Sequence, residues 1–325
     1  MSRFIHRGLF EEIRHACRRV AQRSIYVTVD FEQIPRYASS LPLEQALHPQ
    51  IDPACHYLGQ DRDTLAFFLI LDAVNFGSGY FAELGLPSGR SGYFTMAEAL
   101  TRRFQHQGPC SAAFLSRLTT GECLELFGQD PRNPAAVELM GLFAASLNDL
   151  GRYLRDHFCG DPVALVEEAE GRAAGLVDLL AAMPMYRDEA DYRGLRVPFY
   201  KRAQLTVADL AIAFAGRTWG CFADLPDLTL FADNLVPHVL RYDGLLNYQE
   251  DLAAAIDAGT LISAGSPEEV ELRACAVHAV ELLTEELRRR GHDVTAMGLD
   301  QLLWNRGQQL SYRRRPRHRT KTVFY

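Results

Sequence analysis

Apolar residues recur at helical spacing along almost all of this 325-residue chain. A single run, Ile25-Tyr26-Val27-Thr28-Val29, has the β-branched and aromatic make-up of a strand. Helices so patterned must bury their apolar stripes against one another, which predicts a mostly α fold with at most a small β element. The spacing places helices at roughly 4–22, 64–76, 94–106, 110–118, 134–157, 161–183, 200–216, 235–243, 247–258, 266–290 and 295–309. Some ends are legible. Thr64 is placed to cap the run LAFFLILDAVNF, and Asp161-Pro162 and Ser266-Pro267 each set a capping residue before a first-turn proline. Arg288, Arg289 and Arg290 suit the negative end of a helix dipole, and Gly291 suits its stop.

Long loops are expected at 30–63, 77–93, 184–199 and 310–325; loops of that length in a compact fold tend to carry function. No internal repeat or low-complexity linker divides the chain, so one domain over 1–325 with two lobes is expected. Hydrophobic residues make up 48%, enough for a sizeable core. The formal charge is −7, although Arg313, Arg314, Arg315, Arg317, Arg319 and Lys321 crowd the end of the chain. An acidic body with a basic end is a poor wrap for long nucleic acid, but it can hold one small anion.

The seven cysteines are scattered and form no CxxC pair, which points to reduced thiols and a cytoplasmic protein. Phe4, Ile5, Leu9, Ile13, Cys17 and Val20 read as a helix face rather than a signal peptide, and Glu11 and Glu12 argue against a mitochondrial leader. The longest apolar run, Leu65 to Leu71, is too short for a bilayer, so no membrane partner is expected. The ten histidines show no HExxH or other tight spacing, and no metal or cofactor is implied.

The stretch 229–242, TLFADNLVPHVLRY, is the most informative for chemistry. Asp233 follows an apolar run and precedes Pro237, a residue suited to a first helical turn. It is either a helix cap or a carboxylate facing a cleft. The pair Asn75-Phe76 offers a donor, an acceptor and a stacking face for a purine-like base, or else a helix end beside a core ring. Gly77-Ser78-Gly79-Tyr80-Phe81-Ala82 loosely matches a dinucleotide fingerprint, but no strand precedes it, and Gly85, Pro87 and Gly89 break the helix that should come after it. Lys201 and Arg202 open a helix at the end of the dipole that repels cations, which hints at a bound anion. Glu269 and Arg273 read as a surface i,i+4 pair, and one of Glu271 and Arg273 is expected to point inward. The tail ends in Val323-Phe324-Tyr325 and is expected to dock back on the body, carrying His318 and Arg319.

Taken together, LDAVNF (71–76), FYKRAQL (199–205), LTLFADNLVPHVLRY (228–242), EVELRACAVHAVELL (269–283) and HRTKTVFY (318–325) resemble the queuosine salvage family, the queuosine 5′-phosphate N-glycosylase/hydrolases. The resemblance implies hydrolysis of queuosine 5′-monophosphate to queuine, a 7-deazaguanine destined for tRNA, and ribose 5-phosphate. It also implies a helical fold whose core is similar to that of helix–hairpin–helix DNA glycosylases, which set an Asp at a helix start opposite the sugar. On that analogy Asp233 is the catalytic carboxylate, acting as nucleophile, base or electrostatic stabiliser, with His238 a candidate neighbour. Phe76 and Phe231 are expected to sandwich the base and Asn75 to bond its edge. Lys201 is the first choice for the phosphate, with Arg241, His318 and Arg319 behind it. The expected partner is a small-molecule nucleotide bound by a monomer, without stable nucleic-acid binding. The alternative is a noncatalytic binding module for a modified base or tRNA.

Overall fold

A computed structural model of the chain describes residues 8–85 and 91–325; Phe4, Ile5, Pro87 and Gly89 lie outside these. The described chain is mostly helical, with two small antiparallel sheets of two strands each. Its axis is the helix Pro267–Arg289, whose Val270, Leu272, Ala274, Ala276, Val277 and Val280 are all buried. A helix apolar on every side must be enclosed by others. Leu9–Ala21, Ile34–Ser40, Val236–Tyr242 and Ala296–Gly307 pack around it, together with the strand Val27–Val29. A second group forms around the long helix Pro134–Phe158, against which Asp61–Ala73, Ala112–Leu115, Thr120–Leu126 and Pro162–Glu167 pack. The helix Lys201–Ala213 lies against Asp61–Ala73 and Ala173–Ala181. None of the described helices is long and apolar enough to cross a membrane.

Several ends follow local chemistry. The side chain of Asp161 accepts from the Val163 N–H and that of Ser266 from the Glu269 N–H, each before the expected proline. Thr64 is not a cap. Its helix starts at Asp61, because Asp61 and Asp63 favour the positive end of the dipole and add a polar turn ahead of the apolar run. The helix expected over 161–183 is two, Pro162–Glu167 and Ala173–Ala181, parted where Glu170 and Gly171 take positive φ of 51° and 68°. The loop expected at 184–199 contains a hairpin, Glu189–Tyr192 with Leu195–Pro198. Its two-residue turn, Arg193-Gly194, has positive φ at both positions, as a primed turn requires. Val27–Val29 pairs with Leu246–Tyr248, which shortens the helix expected from 247 to Glu250–Asp257.

The charges on the central helix are interior, which corrects the surface reading of Glu269 and Arg273. Glu271 and Arg273 both point inward, 0% and 2% exposed. Glu271 Oε2 accepts the N–H groups of Ile25, Tyr26 and Val27 at 3.0, 2.6 and 3.0 Å, while Oε1 accepts the Tyr192 hydroxyl at 2.6 Å. Arg273 grips Asp188 with two parallel bonds of 2.9 and 2.6 Å, and its Nη1 lies 3.5 Å from Glu269. Arg273→Met leaves Asp188 buried without its cation, an arrangement that typically costs about 3–5 kcal/mol. The urea midpoint is expected to fall accordingly, and an unchanged midpoint would show that the pair is not structural.

Candidate active site

The segment 229–234 has no regular structure of its own, so its shape depends on contacts with its neighbours. Gln204, fully buried, donates to Thr229 Oγ1 at 2.9 Å and accepts the Thr229 N–H at 2.9 Å. The Phe231 N–H donates to Asp300 Oδ1 at 3.1 Å, and Arg273 Nε donates to the Ala232 carbonyl at 3.0 Å. Asn234 Nδ2 donates to the His318 carbonyl at 3.1 Å. Thr229, Phe231, Ala232 and Asn234 are thereby fixed, and Asp233 is held between them. Its Oδ1 accepts from Leu235 N and Val236 N at 2.8 and 3.0 Å. One oxygen of Asp233 braces the backbone where it enters the helix Val236–Tyr242, whose N-cap residue is Leu235, and the half-buried carboxylate also lines a cavity.

That cavity holds about 700 Å³, within the range of small-molecule sites. Asn75, Phe76, Lys201, Phe231, Asp233 and Arg319 all line it. Lys201 is the first residue of its helix, set by Tyr200 in a left-handed conformation (φ 48°). Asp188 explains why cations are tolerated there: its carboxylate accepts the Lys201 N–H at 3.1 Å while paired to Arg273. No external anion is needed to offset the dipole. Arg202 is likewise used inside the protein, donating to the carbonyls of Asp72, Ala73 and Met185 and lying on the rings of Phe76 and Tyr186. Lys201 Nζ donates to Asn75 O and Oδ1 at 3.3 and 3.4 Å. Burial lowers the Lys201 pKa, while Asp233 and Asp72 pull it back up. Phe76 backs the wall, edge-on to Phe143 at 5.0 Å.

The remaining cationic candidates are not in the cavity wall, for three separate reasons. His238 Nε2 sits 3.0 Å from the Tyr312 carbonyl, and burial holds the ring neutral with its pKa lowered to about 4. Arg241 lies on Tyr248 and forms two bonds of 3.1 and 3.2 Å to Asp257. His318 is 1% exposed; neither ring nitrogen has a partner, and burial beside Arg317 and Arg273 lowers its pKa to about 3. A neutral imidazole is not a phosphate clamp.

Arg317 is the residue missed in this tail. It lines the cavity with Arg319, while His318 and Thr320 between and after them are buried. The tail is extended and bridges Leu261 at Arg319, so its side chains alternate. A period of two along the tail would have pointed to Arg317 with Arg319 rather than to His318. Burial lowers the Arg317 pKa and the charge of Asp233 opposes that shift; both residues line the cavity. Arg319 is held by the Gly79 carbonyl and Glu83, and a Cβ on Gly79 would stand 2.2 Å from the Thr320 oxygen. The loop after Phe76 is thus pressed directly onto the tail.

Aromatics and further acids complete the wall. Trp304 stands edge-on to Tyr93 and Phe94 at 5.9 and 5.7 Å, and His56 Nε2 is 2.7 Å from the Tyr93 hydroxyl. Asp209 and Asp300 face the same space, and burial raises the pKa of both well above the usual carboxylate range. Sequence spacing offered no signal for them beyond Asp209 lying eight residues after Lys201 on one helix.

The buried ring of His318 generates a pH prediction. It is neutral in the folded chain, whereas an unfolded histidine protonates near pH 6.5. Its contribution to stability is full above pH 6.5 and is lost as the pH falls toward about 3. At pH 5 the parent should have lost about 2 kcal/mol relative to His318→Leu, compared with their difference at pH 7.5. Parallel pH profiles for the two proteins would contradict a neutral buried ring.

The family model for the queuosine salvage protein matches residues 55–325. A Sphaerobacter thermophilus protein named queuosine 5′-phosphate N-glycosylase/hydrolase is 36% identical over 319 residues, covering 95% of this chain and 96% of its own. Proteins of the same name from Mus musculus and Dictyostelium discoideum are 31% and 32% identical. They cover 96% and 81% of this chain and 98% and 78% of their own. The chain belongs to the queuosine salvage protein family.

Proposed function

We infer that this chain hydrolyses the N-glycosidic bond of queuosine 5′-monophosphate, releasing queuine and ribose 5-phosphate. The observation that carries the reading is a carboxylate fixed by backbone donors in the wall of a nucleotide-sized cavity that Lys201 and Arg317 also line. Breaking such a bond builds positive charge on the ribose ring. Asp233 faces that charge. Its Oδ1 is spent on two N–H groups, so Oδ2 is the oxygen turned to substrate, acting by electrostatic stabilisation and by orienting water.

Lys201 is under the negative charges of Asp233, Asp72 and Asp300, a poor place for a phosphate. The 5′-phosphate is therefore assigned to the Arg317 side, where Arg319 and Arg313 also line the wall. Among the described residues Arg317 has no hydrogen-bond or ion-pair partner, so its guanidinium is available for bidentate contact with phosphate oxygens. Phe231, Tyr93 and Trp304 offer aromatic surface to the base. A phosphate anchored away from the reacting bond supplies binding energy that orients the sugar.

Asp233→Ala should fold normally and lose at least ~10²-fold in kcat, measured as released queuine. Full turnover would reduce Asp233 to a brace at the helix entrance. Arg317→Ala should cut kcat/KM for the monophosphate about 10–100-fold while leaving the slower reaction of the free nucleoside within a few-fold. Equal losses on both would remove the phosphate from that end of the cavity.

A further inference from the structure

The cavity has an electrical polarity that the phosphate and ribose do not account for. One face of the helix Lys201–Ala213 forms its wall, presenting Lys201, Leu205, Ala208, Asp209 and Ile212 in turn. Eight residues separate Lys201 from Asp209 on this helix, a rise of about 12 Å. Arg317, Asp233 and Lys201 line the cavity together, and the charge of Asp233 acts on both cations. Asp209 lines it with Tyr93 and feels the charges of Asp72 and Asp300, with Lys201 the one cation acting on it. Among the described residues Asp209 has no hydrogen-bond or ion-pair partner. Asp300 differs, since its Oδ1 is used by the Phe231 N–H. The wall thus carries a guanidinium, the carboxylate assigned to the sugar, and a further acid about two helical turns from Lys201.

Queuine differs from 7-deazaguanine by an arm on its 7-position that contains a secondary alkyl amine, cationic at neutral pH. We propose that Asp209 is the specificity residue for this arm, its carboxylate accepting an N–H of the bound ammonium. The inference rests on the function proposed above and adds the feature by which the site selects its base. The substrate then lies along the cavity as a dipole matched to the wall: phosphate at Arg317, anomeric carbon at Asp233, ammonium at Asp209. Binding of a cation also eases the repulsion among Asp72, Asp209 and Asp300, for which Lys201 is the one shared counter-charge. A neutral arm or no arm leaves the acid unpaired, and a site built for a polar partner rejects ligands that lack it.

The test compares the parent and Asp209→Asn on queuosine 5′-monophosphate and on 7-deazaguanosine 5′-monophosphate, which has no arm. The variant should lose about 10–100-fold in kcat/KM on the first and stay within a few-fold on the second. Calorimetric binding of the free bases, queuine and 7-deazaguanine, should show the same selective loss without turnover. Thermal melting of the variant should match or exceed that of the parent, because a repelled acid is removed. Equal loss on both substrates, or no loss on the armed one, would overturn the role of Asp209. A parent enzyme that cleaves neither nucleotide would instead overturn the function itself.

Discussion

The buried pair between Asp188 and Arg273 is the interaction on which the site depends. Asp188 accepts the first N–H of the Lys201 helix, and its carbonyl accepts the N–H groups of Phe199 and Tyr200. Arg273 holds the carbonyl of Ala232, next to Asp233, and lies 3.9 Å above the Phe199 ring and 4.7 Å from the Tyr325 ring. One guanidinium therefore ties together the loop bearing Asp233, the turn bearing Lys201 and the tail that closes the cavity. Breaking such a desolvated pair is expensive, and the specific geometry it enforces is where its value lies. Guanidinium geometry suits the task, because five donors in a rigid fork can serve a carboxylate and a carbonyl at once.

Around that clamp the protein keeps charge out of water without neutralising it completely. Burial raises Asp72 to about 7 and lifts Asp209 and Asp300 well above the usual carboxylate range, while it lowers Lys201 and Arg317. Groups shifted toward each other in this way cluster where chemistry is done. By contrast, two interior charges of the scaffold are well satisfied: Glu271 by three N–H groups and a tyrosine, and Arg202 by carbonyls at the end of the helix Asp61–Ala73.

Much of the fold was legible in the sequence because helix ends have local causes. Asp161, Ser266 and the apolar periodicity of 267–289 all act within a few residues of themselves. The hairpin at 189–198 was missed because its strands are short and only the Arg193-Gly194 turn marks them. The interior placement of Glu269 and Arg273 was illegible, since their i,i+4 spacing is the same on a surface and the Asp188 that pairs with Arg273 is 85 residues away. The segments around Asn75, Phe76, Lys201, Phe231 and Asp233 could be picked out as blocks, and the fold brings them to one cavity. His238, Arg241 and His318 shared those blocks but face other ways, because a helix turns its side chains and an extended tail alternates them.

On the proposed reading, Asp233 and Arg317 meet opposite parts of one ligand. A crystal structure of the Asp233→Asn protein with queuosine 5′-monophosphate bound would measure this most directly. The expected result is the residue 233 side chain within roughly 3–3.5 Å of the anomeric carbon, the near-attack range, and the phosphate on the Arg317 guanidinium. A sugar bound elsewhere in the cavity, with the phosphate away from Arg317, would contradict it.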